Sequence, residues 1–180
     1  MVRKWIGYIG VGSLMCAALG CGILYTRQAR LQQAISDKVL RFHVLANSDS
    51  EADQTLKLAV RDAVGSYMQE KLADVENLEE CELVVRQSLG EIEEAAAETI
   101  AENGYDYDVT AELEHTSFPV KNYGSYTFPA GDYEALRIVI GEGNGHNWWC
   151  VMYPNMCFSD SMYEVVDEEA GEKLREVLTT

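Results

Sequence analysis

Asn103-Gly104-Tyr105-Asp106-Tyr107-Asp108-Val109-Thr110-Ala111-Glu112-Leu113-Glu114 is where this 180-residue chain changes its period. Before Gly104, apolar residues recur every three or four positions, the spacing of a helix face. After it, Tyr107, Val109, Ala111 and Leu113 alternate with Asp108, Thr110, Glu112 and Glu114, the pattern of a strand with one wet face. Gly104 itself suits a left-handed helix stop. Blocks of both periods in one chain point to an α+β domain.

Upstream of that boundary, a helix is expected from about Leu78 to Asn103, capped by Asn77, with Val85, Leu89, Ile92, Ala96, Thr99 and Ile100 as its buried stripe. Its other face is rich in Glu and reads as solvated. An earlier helix should start at Ser50, where Ser50 and Asp53 have capping-box spacing. Leu56, Val60, Ala63, Val64 and Tyr67 form its stripe, and Asp53 with Lys57 is an i,i+4 ion pair in the favourable order. Before it, Val39 to Ala46 reads as a strand. Leu40, Phe42 and Val44 face the core, and Arg41 and His43 lie on the other side. The strand ends at the turn formers Asn47-Ser48-Asp49-Ser50.

Downstream, residues 116–132 hold Pro119, Gly124, Pro129 and Gly131, a long loop or broken hairpin. Strands are expected over Tyr133–Ile140 and Trp148–Tyr153, and a last amphipathic helix over about Asp167–Leu178. The expected domain is therefore a mostly antiparallel sheet of about four strands with two long helices and a C-terminal helix. Gly141-Glu142-Gly143-Asn144-Gly145 invites comparison with a phosphate loop. It leads into a strand and not a helix, and Glu142 would repel a phosphate, so a flexible hairpin loop is expected.

At the N-terminal end, Trp5 to Tyr25 is a run of 21 residues without charge, flanked by Arg3 and Lys4 and by Arg27 and Arg30. At about 1.5 Å per residue, this run can cross a hydrocarbon core. Residues 1–30 are expected to be a signal peptide or membrane anchor, with 31–180 as one domain outside the cytoplasm. Ala18 and Gly20 would fit a cleavage site before Cys21, but the length favours an uncleaved anchor. Ala18-Leu19-Gly20-Cys21 has Ala and Leu in the wrong order for lipidation.

Those 30 residues hold four of the 14 basic residues and none of the 30 acidic ones, which leaves a net charge of −20 on the remainder. A surface of that sign excludes nucleic acid and anionic lipid headgroups as partners. Among five cysteines, Cys150 and Cys157 form a close pair, for which a disulfide is allowed outside the cytoplasm. A metal site drawing on His146, Cys150 and Cys157, with His43 or His115, has no recognised zinc spacing, so no metal or other cofactor is expected. No nucleophile turn is present. Asp49, Asp53, Asp132 and Glu134 could act as acid and base in principle, although turns and caps need some of them anyway. Trp148 and Trp149 should lie on opposite faces of their strand. The aromatics from Tyr123 to Tyr153, interleaved with Gly, Asn and His, have the composition of a protein-binding surface.

Three stretches together resemble the stage II sporulation protein R family. They are Arg41-Phe42-His43-Val44-Leu45-Ala46-Asn47-Ser48-Asp49-Ser50 with Asp53-Gln54 and Leu56 to Val64, then Phe128 to Gly141, then Gly143-Asn144-Gly145-His146-Asn147-Trp148-Trp149-Cys150-Val151 running on to Cys157-Phe158. The resemblance spans about residues 39–158. It implies a signalling protein of endospore formers, exported from the forespore into the space between the two membranes. There it would activate a membrane-embedded aspartic protease of the mother cell that cleaves pro-sigma-E. It implies a ligand and not an enzyme. Asn47, Asp49 and Asp53, with His146, Asn147, Trp148 and Trp149, are then candidates for partner contact or for holding the binding surface rigid. Two other classes compete: an exported hydrolase using Asp49 or Asp132 as base, and a membrane-anchored structural interaction protein.

Overall fold

The computed structural model describes residues 2–123 and 126–154, with the backbone alone for residues 2–17 and 28. Helix α1 runs unbroken over Val2–Ser36, past the boundary expected at residue 30. Its last turns dock on the domain, where Ile35 joins a core and the Gln32 amide donates to the Asp132 carbonyl at 3.0 Å. Leu19, Ile23, Leu24 and Tyr25 are exposed. Among the described residues no helix is long and apolar enough to cross a membrane. The side chains of residues 5–17, most of the uncharged run, lie outside that description.

The elements that follow are β1 (Leu40–Leu45), α2 (Glu51–Lys71), α3 (Leu78–Gln87), α4 (Leu89–Glu102), β2 (Val109–Phe118), β3 (Lys121–Tyr123), β4 (Tyr126–Phe128), β5 (Gly131–Ile140) and β6 (Asn147–Tyr153). The fold is α+β. Ser50 caps α2 by accepting from the Asp53 N–H at 3.1 Å, and Asn77 caps α3 in the same way. The single helix expected over 78–103 is two. Ser88, at φ −97° and ψ 3°, ends α3 and begins α4, and neither it nor the nearby Gly90 favours helix. Gly104 takes φ +83° and stops α4. The C-terminal helix expected over 167–178 lies outside the described residues.

The four-stranded sheet has the order β2-β5-β1-β6 and is mixed. β1 pairs parallel with β5 and antiparallel with β6, while β2 and β5 pair antiparallel over Val109–Phe118 and Gly131–Ile140. The parallel pair corrects the expectation of a mostly antiparallel sheet. A strand that leaves through three helices and returns so late can align in parallel, as a tight hairpin cannot. The 116–132 segment is the broken hairpin: β2 runs on to Phe118, and the β3–β4 ribbon precedes β5.

Both faces of β1 are covered, and Leu40 to Val44 are all buried. On one face Leu40, Phe42, Val44, Leu136, Ile138, Ile140 and Met152 pack under Leu56, Val60, Val64, Ile92, Ala96 and Ile100. On the other face, Val39, Phe118, Phe128, Tyr133, Ala135 and Val151 form a second, smaller core beneath the β3–β4 ribbon and Ile35.

Candidate functional site

Because β1 and β5 run in parallel, their C-terminal ends meet, with Leu45 beside Val139. β6 begins at the same end, with Asn147 opposite Leu45. The turn after β1 and the glycine-rich segment after β5 therefore converge, the place where sheets with parallel strands commonly bind ligands. β1 lies between β5 and β6, so residues 141–146 cross over its end and do not form the flexible hairpin expected. They are clamped there. The Gly145 N–H donates to the Ala46 carbonyl (2.9 Å) and the Asn144 N–H to the Asn47 carbonyl (3.1 Å). The Glu142 N–H donates to Asn47 Oδ1 (3.1 Å). Gly141 needs its φ of +57°, and a Cβ on Gly145 would collide with the Ser48 carbonyl.

Asp53 is the hub of this clamp. It is 5% exposed, and its carboxylate accepts from Ser48 Oγ (2.5 Å), Asn47 Nδ2 (3.0 Å) and the Tyr107 hydroxyl (3.2 Å). The bonds from Ser48 and Asn47 hold its pKa below the ordinary value. The i,i+4 ion pair expected with Lys57 does not form. Lys57 Nζ donates to Gln54 Oε1 (2.6 Å) and to the His146 carbonyl (3.0 Å), which ties α2 to the glycine-rich segment. Burial pushes the Lys57 pKa down, and the nearby Arg61 adds to this. At the rim, Asp49 accepts from the His146 N–H (2.6 Å) and contacts His146 Nδ1 (2.5 Å), and these bonds depress its pKa.

The structure thus brings Asn47, Asp49, Asp53, His146 and Asn147 to one end of the sheet. It separates the two tryptophans, which occupy opposite faces as alternation requires. Trp148 meets Phe42 edge-on (5.4 Å between centroids) and lies 5.2 Å from the Arg61 guanidinium. Trp149 stacks on His43 at 4.8 Å and 6° and meets Phe118 edge-on. Both rings are half-buried packing elements.

Sequence reasoning passed over Arg41. It is fully buried, donating from Nε to the Cys150 carbonyl (2.9 Å) and from Nη2 to the Tyr123 hydroxyl (3.1 Å). The rings of Phe118, Phe128, Tyr133 and Tyr123 surround it at 4.2 to 5.8 Å, and among the described residues no carboxylate pairs with it. The signal available was the spacing of aromatics from Phe118 to Tyr133 around a lone basic residue in an apolar strand. Ser48 and Tyr107 were passed over as well.

The carboxylates weighed as acid and base do not assemble. Asp132 sits at the start of β5, bonded by Ser117 Oγ, and Glu134 pairs with His115 and Arg86, whereas Asp49 and Asp53 lie at the other end of the sheet. Among the described residues no group of three His, Cys, Asp or Glu side chains could hold a metal. Cys150 lies on β6, and Cys157 is outside the described residues.

The fold and this end of the sheet define a small α+β domain whose converging loops are joined by a polar clamp. The chain belongs to the stage II sporulation protein R family, whose model matches residues 36–163. Over 147 residues it is 41% identical to the stage II sporulation protein R of Bacillus subtilis (strain 168). That match covers 79% of this chain and 66% of the relative, just under two thirds of its length. No solved structure matches. Membership supports a role in sporulation.

Proposed function

We propose that the chain is an exported sporulation signal that binds and activates a membrane-embedded aspartic protease, leading to cleavage of pro-sigma-E in the mother cell. The observation that carries this reading is the convergence of the family-like stretches. Asn47–Asp53, Lys57 and Gly141–Asn147 come from distant parts of the chain and lock into one clamp. A pre-formed surface suits a ligand, because rigidity in the free state reduces the ordering cost of binding. On this reading residues 1–30 take the domain across the forespore membrane, and Cys150 pairs with Cys157 in the intermembrane space. The chain acts as a ligand and not an enzyme, by preferring the active state of the protease over the inactive one.

Deleting the gene in a spore former and following pro-sigma-E by immunoblot tests the reading. Accumulation of the uncleaved form is expected, and unchanged processing would sink the idea. Restoring an Asp53→Ala copy should leave processing impaired, since the clamp loses its hub.

A further inference from the structure

Beside the clamp, between the start of α2 and the end of α4, lies an open pocket of about 480 Å³ lined by Glu51, Ala52, Thr55, Leu56, Asn103 and Tyr105. We infer that it receives a single cationic side chain, Lys or Arg, from the partner protein. Three features of the pocket support this. Its apolar part, Ala52, Leu56 and the Tyr105 ring, is the kind of surface along which a long basic side chain lays its stem. Its polar rim carries the Glu51 carboxylate and no basic residue. The negative dipole end of α4 and the positive dipole end of α2 both border the pocket and offset each other, so the Glu51 carboxylate sets its sign. Exposed Glu102, Asp106 and Asp108 add charge of the same sign close by in the chain. A basic group over the Tyr105 ring also gains cation–π attraction.

The pocket is coupled to the clamp. Tyr105 stacks on Tyr107 at 5.4 Å and 24°, and the Tyr107 hydroxyl donates to Asp53. A side chain seated on Tyr105 therefore lies two contacts from the hub. This inference rests on the reading that the chain acts by binding a protein, and it specifies the chemistry of that contact.

The test is a titration of the isotope-labelled full chain in detergent micelles with N-acetyl-arginine methylamide, followed by NMR, with N-acetyl-leucine methylamide as control. Saturable shifts at Thr55, Leu56 and Tyr105 are expected with the arginine compound and not with the leucine one. Glu51→Gln should weaken the arginine compound about threefold, as for an exposed ion pair. Ala52→Trp, at an exposed position, should fill the pocket and abolish the shifts. Equal response to both compounds, no response, or indifference to both substitutions overturns the assignment. The gene deletion separates the two claims. Blocked processing without arginine binding removes the pocket and leaves the signal; arginine binding with normal processing does the reverse.

Discussion

Arg41 holds a charge inside a ring of aromatic side chains, and the geometry explains why arginine is used there. A planar guanidinium can reach the Cys150 carbonyl and the Tyr123 hydroxyl at once while its faces rest on rings. Lysine keeps the charge but not the fork. Arg41→Lys should therefore cost about 2–4 kcal/mol in urea unfolding, and a loss below about 0.5 kcal/mol would remove the fork from the account. His43, its neighbour on the same face, is 2% exposed. Burial first, then Arg137, lowers its pKa to about 4 from 6.5. Between those values the unfolded chain binds more protons than the native one, so this contribution is complete above pH 6.5 and is lost as pH falls toward 4. The urea midpoint of His43→Gln should accordingly fall less between pH 7 and 4.5 than that of the parent chain. Asp49 and Asp53 have lowered pKa values, so their stabilisation is present above the ordinary 3.8 and is lost in a second, more acid window.

Among the elements, the glycine-rich segment depends most on backbone shape. Gly145→Ala drives a Cβ into the Ser48 carbonyl, a backbone atom that cannot swing aside. The expected cost is about 2–3 kcal/mol, with faster amide exchange at Glu142 and Asn144, whose N–H groups bond Asn47. Gly90→Ala is the contrast: that Cβ meets nothing within 4 Å on α4, and about 0.5–1 kcal/mol of added stability is expected. The regular elements were legible because each depends on local pattern. The α2 stripe, the Asn77 cap, the Gly104 stop and β1 all stand where periodicity and turn chemistry put them. What was not legible depends on distant partners. The parallel pairing of β1 with β5 leaves no mark in either strand. The β3–β4 ribbon is too short, and too crowded by Pro119, Gly124 and Pro129, to show a period. Asp53 and Lys57 have ion-pair spacing but turn apart, because Ser48, Asn47 and the His146 carbonyl offer part-buried groups to bond instead. The candidate site was half visible: Asn47, Asp49, Asp53, His146 and Asn147 meet, while the tryptophans serve two separate cores.

At the scale of the whole molecule, the residues beyond position 30 carry a net charge of −20. A field of that sign steers basic partners and is screened over roughly 10 Å at 0.1 M salt. On the proposed reading, association with the reconstituted protease should therefore slow about tenfold or more between about 50 and 500 mM salt. Surface plasmon resonance would measure this, and a salt-independent rate would argue against steering. The strand order has a kinetic consequence too. β1 is central, yet its neighbours are β5 and β6, and Arg41 bonds a carbonyl 109 residues further along. A chain threaded N-terminus first, from a ribosome or through a pore, presents β1 early and then waits for nearly the whole domain before either edge of that strand is paired. Non-local closure of this kind is slow. The sheet is therefore completed last, once β6 has followed β5 into place on either side of β1.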